Sequence, residues 1–164
     1  MADYYTTFSE RLVLKGGKKA ADWVSKYLGQ FDGVMAPIGT ARRKAQEDIA
    51  LLYDIDPDDL YLEFQWELQS SPKAKTELWF YCEEHGNPDH VAQFIKTYLK
   101  KFDPEGCFSF TWSQTCSKPR LGAFTGGAIF VTANTIEWMS GEEWANEKRV
   151  EFEAKTGKEA KKAS

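Results

Sequence analysis

Histidine and cysteine are scarce in this chain of 164 residues, which holds two His and three Cys. An odd cysteine count at irregular spacing argues against a disulfide framework. A zinc site can be sketched from Cys82, His85, His90, Cys107 and Cys116, but no second close Cys or His pair completes a tetrahedron. Cys82 also falls on the apolar side of a strand pattern, where a free cysteine is ordinarily a small core residue. No metal and no cofactor are expected. Long apolar runs are missing too. Pieces such as Leu78-Trp79-Phe80-Tyr81-Cys82 fall far short of the roughly 20 residues that a membrane-spanning helix requires. Nor is there an excess of positive charge, since 21 Lys and Arg against 25 Asp and Glu leave a net charge of −4. That balance argues against tight non-specific attachment to nucleic acid or anionic lipid. Met1-Ala2-Asp3-Tyr4-Tyr5 lacks the basic start and apolar core of a secretion signal. These absences point to a soluble protein of a reducing cytoplasm, without membrane association.

Signatures of nucleotide and calcium sites are lacking as well. Gly16-Gly17-Lys18-Lys19 lies between a strand and a helix pattern but has no long glycine loop ending in Lys-Ser/Thr. Gly122 and Gly126-Gly127 suit a tight turn and a bulge better than a dinucleotide fingerprint. Asp54, Asp56, Asp58 and Asp59 crowd a turn without the spacing of an EF-hand loop, and read as a solvated acidic loop.

What the chain has in abundance is rings: aromatics make up 15% of it, with 11 Phe, 7 Tyr and 6 Trp. Their spacing outlines the elements. Thr7 to Lys15 puts Phe8, Leu12 and Leu14 on one face of a strand. Ala20, Val24, Tyr27, Leu28 and Phe31 recur at helical steps. Thr40 can cap an inserted helix with Ala41, Ala45, Ile49 and Leu52 on one side. Leu60 to Leu68 alternates cleanly, as does Thr76 to Glu84, with Ser70 to Lys73 as the turn between them. Asn87 and Pro88 open a helix with Val91, Phe94, Ile95, Tyr98, Leu99 and Phe102 as its buried stripe. Phe108 to Ser113 is a strand, followed by a turn through Cys116 to Gly122 and a hairpin of Gly126–Thr132 with Ile136–Trp138. Ser140 and Glu143 have capping-box spacing for a last helix carrying Trp144 and Phe152. A chain of this size forms one core. A single domain is expected over residues 1–154, with 155–164 as a polar, disordered tail.

This order gives an α+β fold: a ferredoxin-like βαββαβ sandwich with an inserted helix, an added β-hairpin and a C-terminal helix. Three runs carry a family resemblance: Glu83-Glu84-His85-Gly86-Asn87-Pro88, then Phe110-Thr111-Trp112 with Thr115-Cys116-Ser117-Lys118-Pro119-Arg120, and Gly126-Gly127-Ala128. Over about residues 60 to 140 the chain resembles the uncharacterised YubB-type ferredoxin-like domains of phages, plasmids and gut bacteria. The resemblance implies a fold and a mobile-element context, and carries no established activity.

Candidate site residues gather on the sheet face away from the helices. Trp79 and Tyr81 fall there on a central strand, and Arg11, Lys15, Lys118 and Arg120 can supply charge. Three readings follow. The C-terminal helix covers the rings; or the rings anchor a protein interface, where Trp, Tyr and Arg are favoured; or they stack on single-stranded nucleic acid. Glu63, Glu67, Glu77 and Glu83 share that face and oppose the last of these, because carboxylates repel phosphate. Cys116, near Lys118 and Arg120, is a candidate reactive thiol if the turn exposes it and those cations lower its pKa. No catalytic set accompanies it. The expected function is a small non-enzymatic binding or regulatory protein of mobile-element type, acting by protein-protein contact through Trp79, Tyr81, Arg11, Lys118 and Arg120. Single-stranded nucleic-acid binding is the alternative, and a thiol enzyme built on Cys116 the third.

Overall fold

A computed structural model describes residues 2–32, 63–69 and 75–156. The expected inserted helix, the acidic turn, the first part of the Leu60–Leu68 strand and the Ser70 to Lys73 turn lie outside them. The elements in chain order are β1 (Tyr4–Val13), α1 (Gly17–Asp32), β2 (Gln65–Gln69), β3 (Glu77–Cys82), α2 (Pro88–Phe102), β4 (Cys107–Cys116), β5 (Thr125–Thr132), β6 (Ile136–Ser140) and α3 (Gly141–Thr156). The strands form one six-stranded sheet in the order β2-β3-β1-β4-β5-β6, and every ladder in it is antiparallel. The chain is therefore an α+β protein. No helix among the described residues is long and apolar enough to cross a membrane.

Alternation decides which face of each strand is buried. Phe8 and Leu12 of β1, Leu78 and Phe80 of β3, Phe110 of β4, and Ile129 and Val131 of β5 point to one side. There they join Ala20, Val24 and Leu28 of α1 and Val91, Phe94, Ile95, Tyr98 and Leu99 of α2 in a single cluster. A ring stack seams the two helices: Trp23 of α1 lies against Phe94 (6.3 Å between centroids) and Phe102 (5.5 Å) of α2. Such pairs add to what area burial alone contributes. The β1–α1 connection turns at Gly16, whose φ of 98° is open to glycine at little cost.

Helix ends are satisfied as the sequence suggests. The Asn87 side chain accepts from the Asp89 N–H at 3.0 Å, with Pro88 in the first turn of α2. At α3, Ser140 Oγ accepts from the Glu143 N–H at 3.0 Å and donates to the Glu143 carboxylate at 3.1 Å. Because α3 carries little else to hold its first turn, Ser140→Ala is expected to destabilise it by about 1 kcal/mol. Faster amide exchange at Glu143 would show this; unchanged exchange would mean that the cap contributes nothing.

Two expected strand boundaries shift for a common reason, which is pairing. β4 extends to Cys116, past the expected strand end at Ser113, because Ser113 to Cys116 pair with Thr7 to Tyr4. β1 starts at Tyr4 for the same reason and ends at Val13. α3 runs to Thr156, so Lys155 and Thr156 are helical, and the rest of the expected tail lies outside the described residues.

Candidate binding groove

β1 changes partner halfway along. Tyr4–Thr7 pair with β4, whereas Phe8–Val13 pair with β3. Beyond the crossover, on the face that carries no core, lies an open groove of about 540 Å³ lined by Thr7, Ser9, Trp79, Tyr81, Thr111 and Ser113 among others. The register explains the assembly: Ser9 stands opposite Tyr81, Arg11 opposite Trp79, and Thr7 opposite Ser113. Odd-numbered residues of these three strands thus share one face.

Trp79 and Tyr81 are held in place. Their rings stack with centroids 4.2 Å apart and planes 24° apart. Trp79 Nε1–H donates to Ser9 Oγ at 2.9 Å, and the Tyr81 hydroxyl donates to Glu67 Oε1 at 3.4 Å. The Tyr81 phenol is pushed above its usual pKa by desolvation, then by the neighbouring Glu67 carboxylate and its hydrogen bond, then by Glu83. At the groove's end the hydroxyls of Thr7 and Ser113 meet at 2.8 Å and tie β1 to β4. Rings fixed before a ligand arrives lose little rotamer freedom on binding.

The charge is one-sided. Glu83 also lines the groove, and among the described residues no Lys, Arg or His does. Of the cations expected on this face, Arg11 stays there opposite Trp79, while Lys15, Lys118 and Arg120 lie elsewhere. Arg11 reaches Glu77 at 3.7 Å, and Lys15 pairs with Asp103 at 2.7 Å, at the far end of α2. Lys118 and Arg120 are exposed in the β4–β5 turn. That turn is pinned where β1 begins by the Ser117 N–H donating to the Asp3 carbonyl. They do not join Trp79 and Tyr81.

Two further expectations change. Cys116 does not lie in an exposed turn: it ends β4 with 8% of its surface accessible, so its thiol is not offered to solvent. The C-terminal helix does not cover the rings. α3 packs against β5 and β6, contributes nothing to the groove, and leaves Trp144 and Phe152 more than half exposed, at 52% and 63%. Cys82 packs partly against the core, while His85 stacks on Tyr5 with centroids 6.3 Å apart. His90 meets Asn87 and the Glu63 N–H. No metal-holding group of His, Cys, Asp or Glu occurs among the described residues.

The sequence pattern did not single out the hydroxyl side of the groove, although alternation in Ser109-Phe110-Thr111-Trp112-Ser113 carries that signal. No protein-family model matches the sequence, and neither a curated protein nor a solved structure gives a significant match.

Proposed function

We propose that this chain is a non-enzymatic binding protein that engages a protein partner through the open face of its sheet, with Trp79 and Tyr81 as anchors. The observation that carries this reading is the ring pair itself, stacked, hydrogen-bonded to Ser9 and Glu67, and lining an open groove. Large aromatic side chains in preset positions are the usual centres of binding energy at protein interfaces. The strand order β2-β3-β1-β4, with α1 and α2 packed over one face, supports assignment as a ferredoxin-like sandwich extended by the β5–β6 hairpin. The sequence runs around Glu83–Pro88, Phe110–Arg120 and Gly126–Ala128 support placing it beside the YubB-type domains of phages and plasmids, in a bacterial cytoplasm. Single-stranded nucleic acid is the second reading, favoured by the stacked rings but opposed by Glu67 and Glu83 beside the rings of a groove where no basic residue is found among the described residues.

A native pull-down from bacterial host lysate, with and without nuclease, separates the two. A protein partner that survives nuclease and is lost from the Trp79→Ala/Tyr81→Ala variant is the expected result. Recovery of nucleic acid by the wild type alone would reverse the order of the two readings.

A further inference from the structure

We infer that the groove receives a cationic side chain of its partner, an arginine on an extended segment, stacked against the Trp79–Tyr81 pair and held by the carboxylates around it. This rests on the protein-binding reading above and specifies its chemistry. Three observations converge. The Trp79–Tyr81 stack lines the groove, and the face of an aromatic ring attracts a cation. Glu67 holds the Tyr81 hydroxyl, and Glu83 is a lining residue, so negative charge stands beside the rings. Among the described residues no Lys, Arg or His lines the groove; Arg11, opposite Trp79, reaches Glu77 at 3.7 Å, and Lys15 pairs with Asp103.

Charge complementarity therefore selects a positive guest and rejects a phosphate or an acidic peptide. Between the two basic side chains, arginine suits the site better. Its planar guanidinium stacks on an indole or phenol while its edge N–H groups donate to carboxylates, whereas a lysine ammonium is a strongly hydrated point charge. Nearby Ser and Thr hydroxyls, partly engaged with one another and with Trp79, give the groove a polar floor suited to the backbone of an extended segment.

The test uses the full chain and two synthetic peptides, acetyl-Gly-Arg-Gly-amide and the same peptide with citrulline, which keeps the shape of arginine and removes its charge. Binding is read from the indole N–H signal of Trp79 in nitrogen-15 spectra, assigned with Trp79→Phe. The arginine peptide is expected to shift that signal saturably, the citrulline peptide at least tenfold more weakly. Glu67→Gln/Glu83→Gln, nearly isosteric changes at exposed positions of β2 and just after β3, should weaken the arginine peptide about tenfold and leave the other indole signals in place. Equal binding of the two peptides, or an arginine affinity unchanged in the glutamine variant, would overturn the cation assignment and leave the peptide-binding groove standing. No shift with either peptide would also overturn it, and the pull-down with Trp79→Ala/Tyr81→Ala then decides separately whether the face binds protein at all.

Discussion

Truncating Phe80 to alanine is expected to cost about 3–5 kcal/mol of folding stability, the range for removing a large ring from a core that cannot collapse around the gap. Phe80 is fully buried at the middle of β3. Its ring meets Phe108 and Phe110 of β4 at 5.9 and 5.8 Å, Phe8 of β1 at 6.5 Å and Phe64 at 6.5 Å. One side chain therefore bridges across β1 to both halves of the sheet. A domain's whole stability is only about 5–15 kcal/mol, so the variant should unfold at much lower urea or be partly unfolded in buffer. Trp79→Ala, one residue away on the opposite face, is expected to cost about 1 kcal/mol or less. Urea melts of the two variants decide the point, and equal losses would mean that Trp79 belongs to the core.

Tyr98→Phe should destabilise by about 2 kcal/mol, because one hydroxyl serves two backbone groups that the variant leaves without a protein partner. The Lys15 N–H donates to the Tyr98 oxygen at 2.6 Å, and the Tyr98 hydroxyl donates to the Lys15 carbonyl at 3.1 Å. That pair clamps the β1–α1 turn to α2, and the Lys15–Asp103 ion pair reinforces it from outside. The phenol is pushed above its usual pKa, mainly by burial; Asp103 adds to the rise and the Lys15 backbone bond opposes it. An unfolded tyrosine titrates near 10, so below that pH both states stay protonated and the stability from Tyr98 is fully present. Above it the unfolded chain releases its proton first, and stability falls as pH rises toward the folded value. Wild-type stability should therefore decline above about pH 10, and the decline should be shallower in Tyr98→Phe. Parallel alkaline profiles for the two proteins would show that Tyr98 is not the group responsible.

Much of this architecture was legible in residue spacing because burial imposes a period. The stripe Val91, Phe94, Ile95, Tyr98 and Leu99 on α2, the pair Leu78 and Phe80 on β3, and the caps at Asn87 and Ser140 all follow from local chemistry. Trp79 and Tyr81 were placed on the outer face by alternation alone. Local pattern was silent wherever the outcome depends on residues far apart in the chain. Nothing near Cys116 announces that Tyr4 will pair with it and bury its thiol in a strand end. Nothing near Lys15 shows that Asp103 will draw its ammonium off the sheet face. The groove is a case of the same limit, since it exists only where β1, β3 and β4 meet, and its hydroxyls look on paper like the solvated side of ordinary strands.

The partner exchange along β1 also bears on the order in which the chain can fold. Hydrogen bonds from Asp3, just before β1, to Ser117 and from Thr7 of β1 to Ser113 of β4 close loops of 114 and 106 residues, whereas the Trp79–Ser9 bond closes one of 70. The hairpins β4–β5–β6 and β2–β3 can each form from nearby sequence, and β1 is the seam that must find both. Chains dominated by such distant pairings fold on the slow side of the range for single domains, in milliseconds to seconds. Until β1 docks, the inner edges of β3 and β4 stand unpaired, the arrangement most open to pairing with another chain. During synthesis the strand that completes the sheet emerges early and must wait for its last partner.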